Sequence, residues 1–244
     1  MSACAIITGR GGSSYACKNT MPIAGRPCVT WVAQAVLQSQ LVTGPVFIDT
    51  DSTAIAAAAQ LAGPVIHLPR PPQLALPSTQ HAEVIRGSVD LLINSMRIDC
   101  DIVVVLLANS PMITWEWIDR TVAALMDDPH ATGACTAWRA ADDHPLRCMG
   151  LGPDGYAQPY LEGARSTNRQ EYPPAYFYDA GPWVCRVEHA LACDGPPPWP
   201  WLGPRPRLVH REWVTGRDIH GPIDAAVSAW WLTHYAMHDR PEGV

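Results

Sequence analysis

Gly9-Arg10-Gly11-Gly12-Ser13-Ser14 is the first stretch of the chain whose residue types suit chemistry. Glycines let backbone N–H groups converge on oxygens, and the start of a following helix adds partial positive charge. A strand, a glycine loop and a helix in that order therefore form a cradle for phosphate. Arg10 and Lys18 bracket the loop with fixed charge. Lys18 is the only lysine, against 16 arginines, and a planar guanidinium does not copy its compact ammonium. Two well-known phosphate fingerprints are absent. Lys18 is followed by Asn19 where a P-loop has Ser or Thr, and Gly9, Gly11 and Gly12 do not make G-x-G-x-x-G. Glycine-rich surface turns without function look the same, so the loop alone does not decide.

The elements around the loop follow from apolar spacing. Cys4 to Thr8 reads as a short buried strand, and Pro27 as the first position of a helix. The face of that helix is Val29, Val32, Ala33, Val36 and Leu37. Pro45 to Asp49 and Val65 to Leu68 read as strands. Between them lies an alanine-rich helix from Thr53 to Leu61, capped by Asp51 or Ser52. Val84 or Ile85, Val89, Leu92 and Ile93 mark another helix face. Ile102 to Leu107 is apolar on both faces, as a central parallel strand must be. Thr114 is placed to cap a helix with the face Trp115, Ile118, Val122, Leu125 and Met126, and Gly133 to Trp138 reads as a strand. This alternation predicts an α/β fold, a mostly parallel sheet with helices on both faces. After Arg139 the texture changes: residues 150–175 are polar and rich in Gly, Pro and Arg, and residues 195–206 form a proline–tryptophan loop. Tyr176 to Val187 and Arg207 to Arg211 read as strands, and Ile223 to Tyr235 as a terminal helix. One domain is expected: a core over residues 1–140, an inserted subdomain or arm over 141–210, and a closing segment over 211–244.

Composition excludes several classes. At 244 residues with 48% hydrophobic and 16% charged residues, the chain is globular. A net charge of -6 without a basic block weighs against nucleic acid as partner. No apolar run reaches the ~20 residues of a membrane span, and no signal peptide is visible. The eight cysteines form no CxxC pair and read as reduced thiols of a cytoplasmic protein. The nine histidines show no compact zinc spacing.

The motifs in their order resemble the acylneuraminate (CMP-sialic acid synthetase-like) cytidylyltransferases. Arg10-Gly11-Gly12-Ser13, Lys18-Asn19 and Pro22-Ile23-Ala24-Gly25-Arg26-Pro27 are similar to that family's R-G-G-S, K-N and P-x-x-G-[KR]-P. Asp49-Thr50-Asp51-Ser52, Arg70-Pro71-Pro72-Gln73-Leu74-Ala75, Gln80-His81 at a helix start and Val103 to Pro111 continue the likeness. So do Pro198 to Gly203 and Trp230-Trp231-Leu232, so the likeness spans nearly the whole chain.

The resemblance implies a Rossmann-like nucleotidyltransferase that moves CMP from CTP to an acidic acceptor and releases pyrophosphate. It implies Arg10 and Lys18 on the triphosphate, with Gly11, Gly12, Ser13, Asn19, Arg70, Asn109 and Ser110 on the nucleotide. Plain turn and capping roles stay open for Asn109 and Ser110. Mg²⁺ is implied where the family has D-x-D; here the stretch reads Asp218-Ile219-His220, with Asp224 close by. On the acceptor side the candidates are Arg165, Arg169, Gln170, Tyr178 and Asp179, with a solvated arginine loop as the plain alternative. A homodimer formed through the arm is implied as well. Pro77 replaces a family aspartate, and the loop between Ser13 and Lys18 is one residue shorter than is typical. The resemblance makes a nonulosonate-type sugar acid the first expectation for the acceptor, and these departures motivate a small phosphonate of specialised metabolism as the second. A nucleotide-binding homologue without catalysis is the third.

Overall fold

The computed structural model describes residues 1–12, 15, 17–163 and 166–234. In chain order, β1 (Ala3–Thr8) leads through the glycine loop to a short hairpin, β2 (Pro22–Ile23) and β3 (Arg26–Pro27), and then to α1 (Cys28–Gln38). There follow β4 (Val46–Thr50), α2 (Thr53–Gln60), β5 (Val65–Pro69), α3 (His81–Asp90), β6 (Ile102–Leu107), α4 (Trp115–Met126) and β7 (Gly133–Arg139). The second half contains a small hairpin, β8 (Met149–Leu151) and β9 (Ala157–Pro159). It continues with β10 (Tyr176–Arg186), α5 (Val187–Ala192), β11 (Pro206–His210) and α6 (Pro222–His234). No helix among the described residues is long and apolar enough to cross a membrane.

Among the described residues seven strands form the central sheet, in the order β11-β7-β10-β6-β1-β4-β5. β1 pairs in parallel with β4 and with β6. Side chains of a strand alternate between faces, and β1 feeds two layers accordingly. Ala3, Ala5 and Ile7 join the core under α1, α2 and α4, while Cys4 and Ile6 join the core under α3 and α5. The α/β architecture with a mostly parallel sheet is thus present. β10 is the exception, running antiparallel to both β6 and β7. It follows an irregular arm instead of a helical crossover, so nothing forces the chain to return in the same sense.

Two local expectations are corrected. Pro27 precedes the helix: with φ -54° and ψ 141° it is extended and pairs with Pro22 in the β2–β3 hairpin. Thr114 occupies the N-cap position of α4 but makes no side-chain cap bond, and its buried hydroxyl has no partner. Ser52, in contrast, caps α2 by accepting the Ile55 N–H at 3.4 Å.

Candidate active site

The carboxyl ends of β1, β4 and β6 lie side by side, where open α/β sheets bind ligands. The ladder continues into the loops: Gly9 N–H donates to Asp49 O (3.1 Å) and Ala108 N–H to Thr8 O (2.9 Å). Here a basic cavity of about 240 Å³ is lined by Thr8, Gly9, Arg10, Lys18, Asn19, Arg70, His81, Leu107 and Asn109. A Cβ on Gly9 would stand 2.7 Å from the Ala108 Cβ and 3.3 Å from Asn19 Nδ2. Glycine is therefore what lets the loop cross this close to β6.

Arg70, Asn19 and His81 are held from behind. Arg70 Nε donates to Asp49 Oδ1 at 3.0 Å and its Nη2 to Asp49 O at 3.0 Å, while Ser88 Oγ donates to Asp49 Oδ2 at 2.6 Å. Asn19 is buried and its Nδ2 donates to Arg10 O at 3.0 Å, fixing the loop backbone behind the Arg10 side chain. Gly11 N–H donates to Asp51 Oδ1 at 2.8 Å, so that amide faces a carboxylate. His81 opens α3, and its Nε2 lies 3.1 Å from Thr8 Oγ1. Its ring stands edge-on to Trp183 and Trp201, at 5.6 Å and 5.2 Å between centroids. Burial, followed by the nearby Arg70 charge, lowers its pKa to about 4. The imidazole is consequently neutral at pH 7, a hydrogen-bonding group without charge.

A second cavity, of about 370 Å³, shares Leu107 with the first and extends towards β10 and the segment before α6. Trp138, Tyr178, Trp183, Trp199 and Trp213 line it, together with Asp179, Arg217, Asp218 and His220. Asn109 Nδ2 donates to Asp218 Oδ2 (2.7 Å) and to Ile219 O (3.0 Å), tying the end of β6 to this segment. Ile219 is fully buried against Ile23 and Cys28, which anchors Asp218 over the hairpin. His220 Nε2 sits 2.9 Å from Asp218 Oδ1. A larger hollow of about 590 Å³ beside α1 offers little. Its charged residue, Arg26, donates to Gln34 at 2.6 Å and lies over Trp31.

The other sequence candidates fall as follows. Tyr178 packs against Trp199 at 4.2 Å, and burial, then the neighbouring Cys135, raises its pKa. Asp179 reaches the aromatic cavity as a residue, but its carboxyl is enclosed. Oδ1 accepts from Thr136 and from Gly181 N–H, and Oδ2 has no hydrogen-bond partner, with Arg211 Nη1 3.9 Å away. Burial raises its pKa against the opposing pull of Arg211. Gly216 packs on it so tightly that a Cβ there would be 2.6 Å from Oδ2. Ser110 is buried and donates to Ala180 O at 3.5 Å, away from the basic cavity. Arg169 and Gln170 lie exposed on the arm, Arg169 3.6 Å from Asp142, and line neither cavity. Gly12 is exposed at the loop rim. Ser13 and Arg165 lie outside the described residues. The sequence reading missed His81 as a site residue, although Gln80-His81 marked the helix start. It also missed Arg217 and the rings of Trp138, Trp183 and Trp213, which only the fold brings together.

The family pattern described as Cytidylyltransferase matches residues 4–142. The chain belongs to the cytidylyltransferase family. Its match to 3-deoxy-manno-octulosonate cytidylyltransferase of Bdellovibrio bacteriovorus is 28% identical over 149 residues, 58% of this chain and 50% of that relative. The chain therefore aligns with half the length of that protein. Among solved structures, a CMP:2-keto-3-deoxy-manno-octonic acid synthetase complexed with CTP superposes with a TM-score of 0.68 at 17% identity, covering 96% of this chain and 99% of that one. The 4-diphosphocytidyl-2C-methyl-D-erythritol synthase of Anaerococcus prevotii gives 0.67 at 15% identity, covering 95% and 96%. At these identities the two structures speak for the cytidylyltransferase fold.

The donor set bears on Mg²⁺. No three His, Cys, Asp or Glu groups converge on a metal position among the described residues. Asp224 accepts from Arg217 (2.9 Å), His220 N–H (3.0 Å) and Gly221 N–H (2.9 Å), which starts α6. Its pKa is lowered: burial works the other way and is outweighed by these hydrogen bonds and the Arg217 charge. Its lone pairs are thus engaged in the helix start. His220 is a poor donor for a hard cation. Asp218 remains, a half-buried carboxylate where the two cavities meet. One carboxylate fits Mg²⁺ of the kind held mostly by substrate phosphates and water.

Proposed function

We propose that this cytidylyltransferase moves CMP from CTP onto a small acid and releases pyrophosphate. The supporting observation is the meeting of a basic cavity with a second cavity across Leu107 and Asn109. Arg10 and Lys18 neutralise triphosphate oxygens from the glycine loop, and their positive charge lowers the barrier as charge gathers on the leaving group. Arg70, clamped by Asp49, serves the cytidine half, and neutral His81 adds a hydrogen bond beside it. Gly11 and Gly12 keep the loop backbone slim beside the phosphates, and Asn19 stiffens it. An acceptor oxygen in the second cavity attacks the α-phosphorus; the new P–O bond forms as the bond to the β-phosphate oxygen breaks, and pyrophosphate leaves with the electron pair. The fold contributes alignment: both reactants sit at the end of one strand. Asp218 is the residue that would hold Mg²⁺, which when bound would supply neutralising charge to the phosphates.

The first reading of the acceptor is a nonulosonate-type sugar acid, in keeping with the acylneuraminate resemblance and with a relative named for a sugar acid. The second is a small phosphonate. The ring-rich lining favours it, since a small phosphonate needs fewer polar partners than a polyol. The test is pyrophosphate release from CTP with each acceptor class in turn. Release with neither class, together with no CTP-induced rise in melting temperature, would refute the transfer reading. We also infer a homodimer through the arm, where Met149, Leu151, Tyr156 and Tyr160 stand exposed on the β8–β9 hairpin. Light scattering should give twice the 26.6 kDa chain mass, and a monomer at micromolar concentration would refute it.

A further inference from the structure

Rings wall the second cavity to an extent that a polyhydroxylated acid does not need. Five of the twelve residues that line it are Trp or Tyr. Its charges are set against one another. Arg217 is paired with Asp224 at 2.9 Å, and the ring of His220 is set against Asp218. An anion entering this cavity therefore meets no cation that lacks a carboxylate among the described lining residues. A cation meets five aromatic rings and, beside them, the Asp218 carboxylate that His220 and Asn109 share. The protein already places one cation in this way, the Arg217 guanidinium 5.5 Å from the Trp213 ring centroid. Aromatic faces attract ammonium groups through the ring quadrupole, and enclosure by several rings is how quaternary ammonium ligands are recognised.

We propose that the acceptor is a small acid that also carries an alkylammonium group, with the ammonium lodged among Trp138, Tyr178, Trp199 and Trp213 and the acid oxygen directed past Leu107 to the nucleotide. This rests on the CMP-transfer reading and narrows its acceptor. The acid end keeps the reaction as written: an ionised phosphonate or phosphate oxygen forms the bond to the α-phosphorus without a base, and pyrophosphate departs with the electrons of the broken bond. A cavity of about 370 Å³ has room for such a molecule.

The test uses the full chain with a non-hydrolysable CTP analogue and two isosteric pairs. Phosphocholine is compared with 3,3-dimethylbutyl phosphate, and 2-aminoethylphosphonate with propylphosphonate; within each pair the shapes agree and only the ammonium charge differs. Calorimetric titration should show the ammonium member of at least one pair binding tenfold or more tightly than its neutral isostere. Trp213 is 54% exposed, so Trp213→Ala leaves the fold intact. It should erase most of that preference, whereas Trp213→Phe retains it. Equal affinity within both pairs, or binding by none of the four probes, overturns the proposal. So does tighter binding of 3-deoxy-manno-octulosonate that is indifferent to Trp213→Ala. The CTP-induced rise in melting temperature is recorded on the same samples: its presence keeps the transfer reading when the ammonium preference fails, and its absence removes both.

Discussion

Asp49→Asn isolates the charge that holds Arg70 in the basic cavity. The two side chains are 3% and 6% exposed, so the pair is buried. The amide reproduces the shape of the carboxylate and needs to give up no hydrogen bond. Its oxygen faces Arg70 Nε and its NH₂ faces Ser88 Oγ, because that hydroxyl has a second acceptor in Val84 O at 2.9 Å. Only the charge is lost. Leaving one member of a buried pair uncompensated costs about 3–5 kcal/mol, and Arg70 borders a cavity that admits water, which favours the lower end. For a chain of this size, about 2–4 °C of melting temperature accompanies each kcal/mol, so a fall of ~6–12 °C is expected in scanning calorimetry. Arg70→Met in the Asp49→Asn background should recover part of the loss, giving a coupling of about 1–3 kcal/mol in the double-mutant cycle. A single variant that melts within ~1 °C of the parent, or a double variant that loses the sum of both singles, would show that Asp49 does not hold Arg70 by charge.

Lys18→Ala should lower turnover by ~10²–10³ with an unchanged melting temperature, and Lys18→Arg should restore only part of it; wild-type turnover in Lys18→Ala rules out a role on the phosphates. Chelation of Mg²⁺ should stop pyrophosphate release and readdition should restore it, while Asp218→Asn should raise the Mg²⁺ concentration needed for half-maximal rate; an unchanged Mg²⁺ titration separates Asp218 from the metal. His81 has a folded pKa of about 4 against 6.5 unfolded. The unfolded chain therefore binds more protons between these values, and the contribution of the neutral ring, complete above pH 6.5, is lost as pH falls towards 4. Urea midpoints across that window should fall less steeply with acid in His81→Gln than in the parent; parallel curves would show that His81 titrates normally.

Much of the fold is legible because periodicity reports burial. Ile102 to Leu107, apolar on both faces, is the centre of the sheet, and the face read from Val29 to Leu37 packs as α1. The direction of β10 is not legible: Tyr176 to Arg186 has the same residue pattern in either sense, and only its pairing with Val103 and Cys135 sets it. Pro27 shows a related limit, since its fixed φ serves a hairpin as well as a first helical turn. At the site, Arg10, Lys18, Asn19, Arg70 and Asn109 stand in ordered motifs, and the fold gathers them around one cavity. Asp49, Asp51 and Ser88 escape notice as supports, because a brace is defined by what lies behind it. The ring cavity was beyond local reading for a different reason. Trp138 and Tyr178 come from two strands and Trp199 and Trp213 from two loops, and ten tryptophans in a composition do not say which of them meet.

Leu107 is a boundary post between two stretches of sequence as well as between two cavities. Every residue lining the basic cavity, Leu107 included, precedes position 110, inside the segment that the family pattern spans. Apart from Leu107 and Trp138, every residue lining the ring cavity follows position 177, beyond that segment. On the proposed reading, donor and acceptor are thus written in different halves of the chain and joined at one leucine and the Asn109–Asp218 clasp. A library that varies residues 178–217 alone can search for new acceptors with the donor half and the Asn109–Asp218 clasp left untouched. A graft of the donor half onto a foreign second half must bring a partner for Asn109 with it.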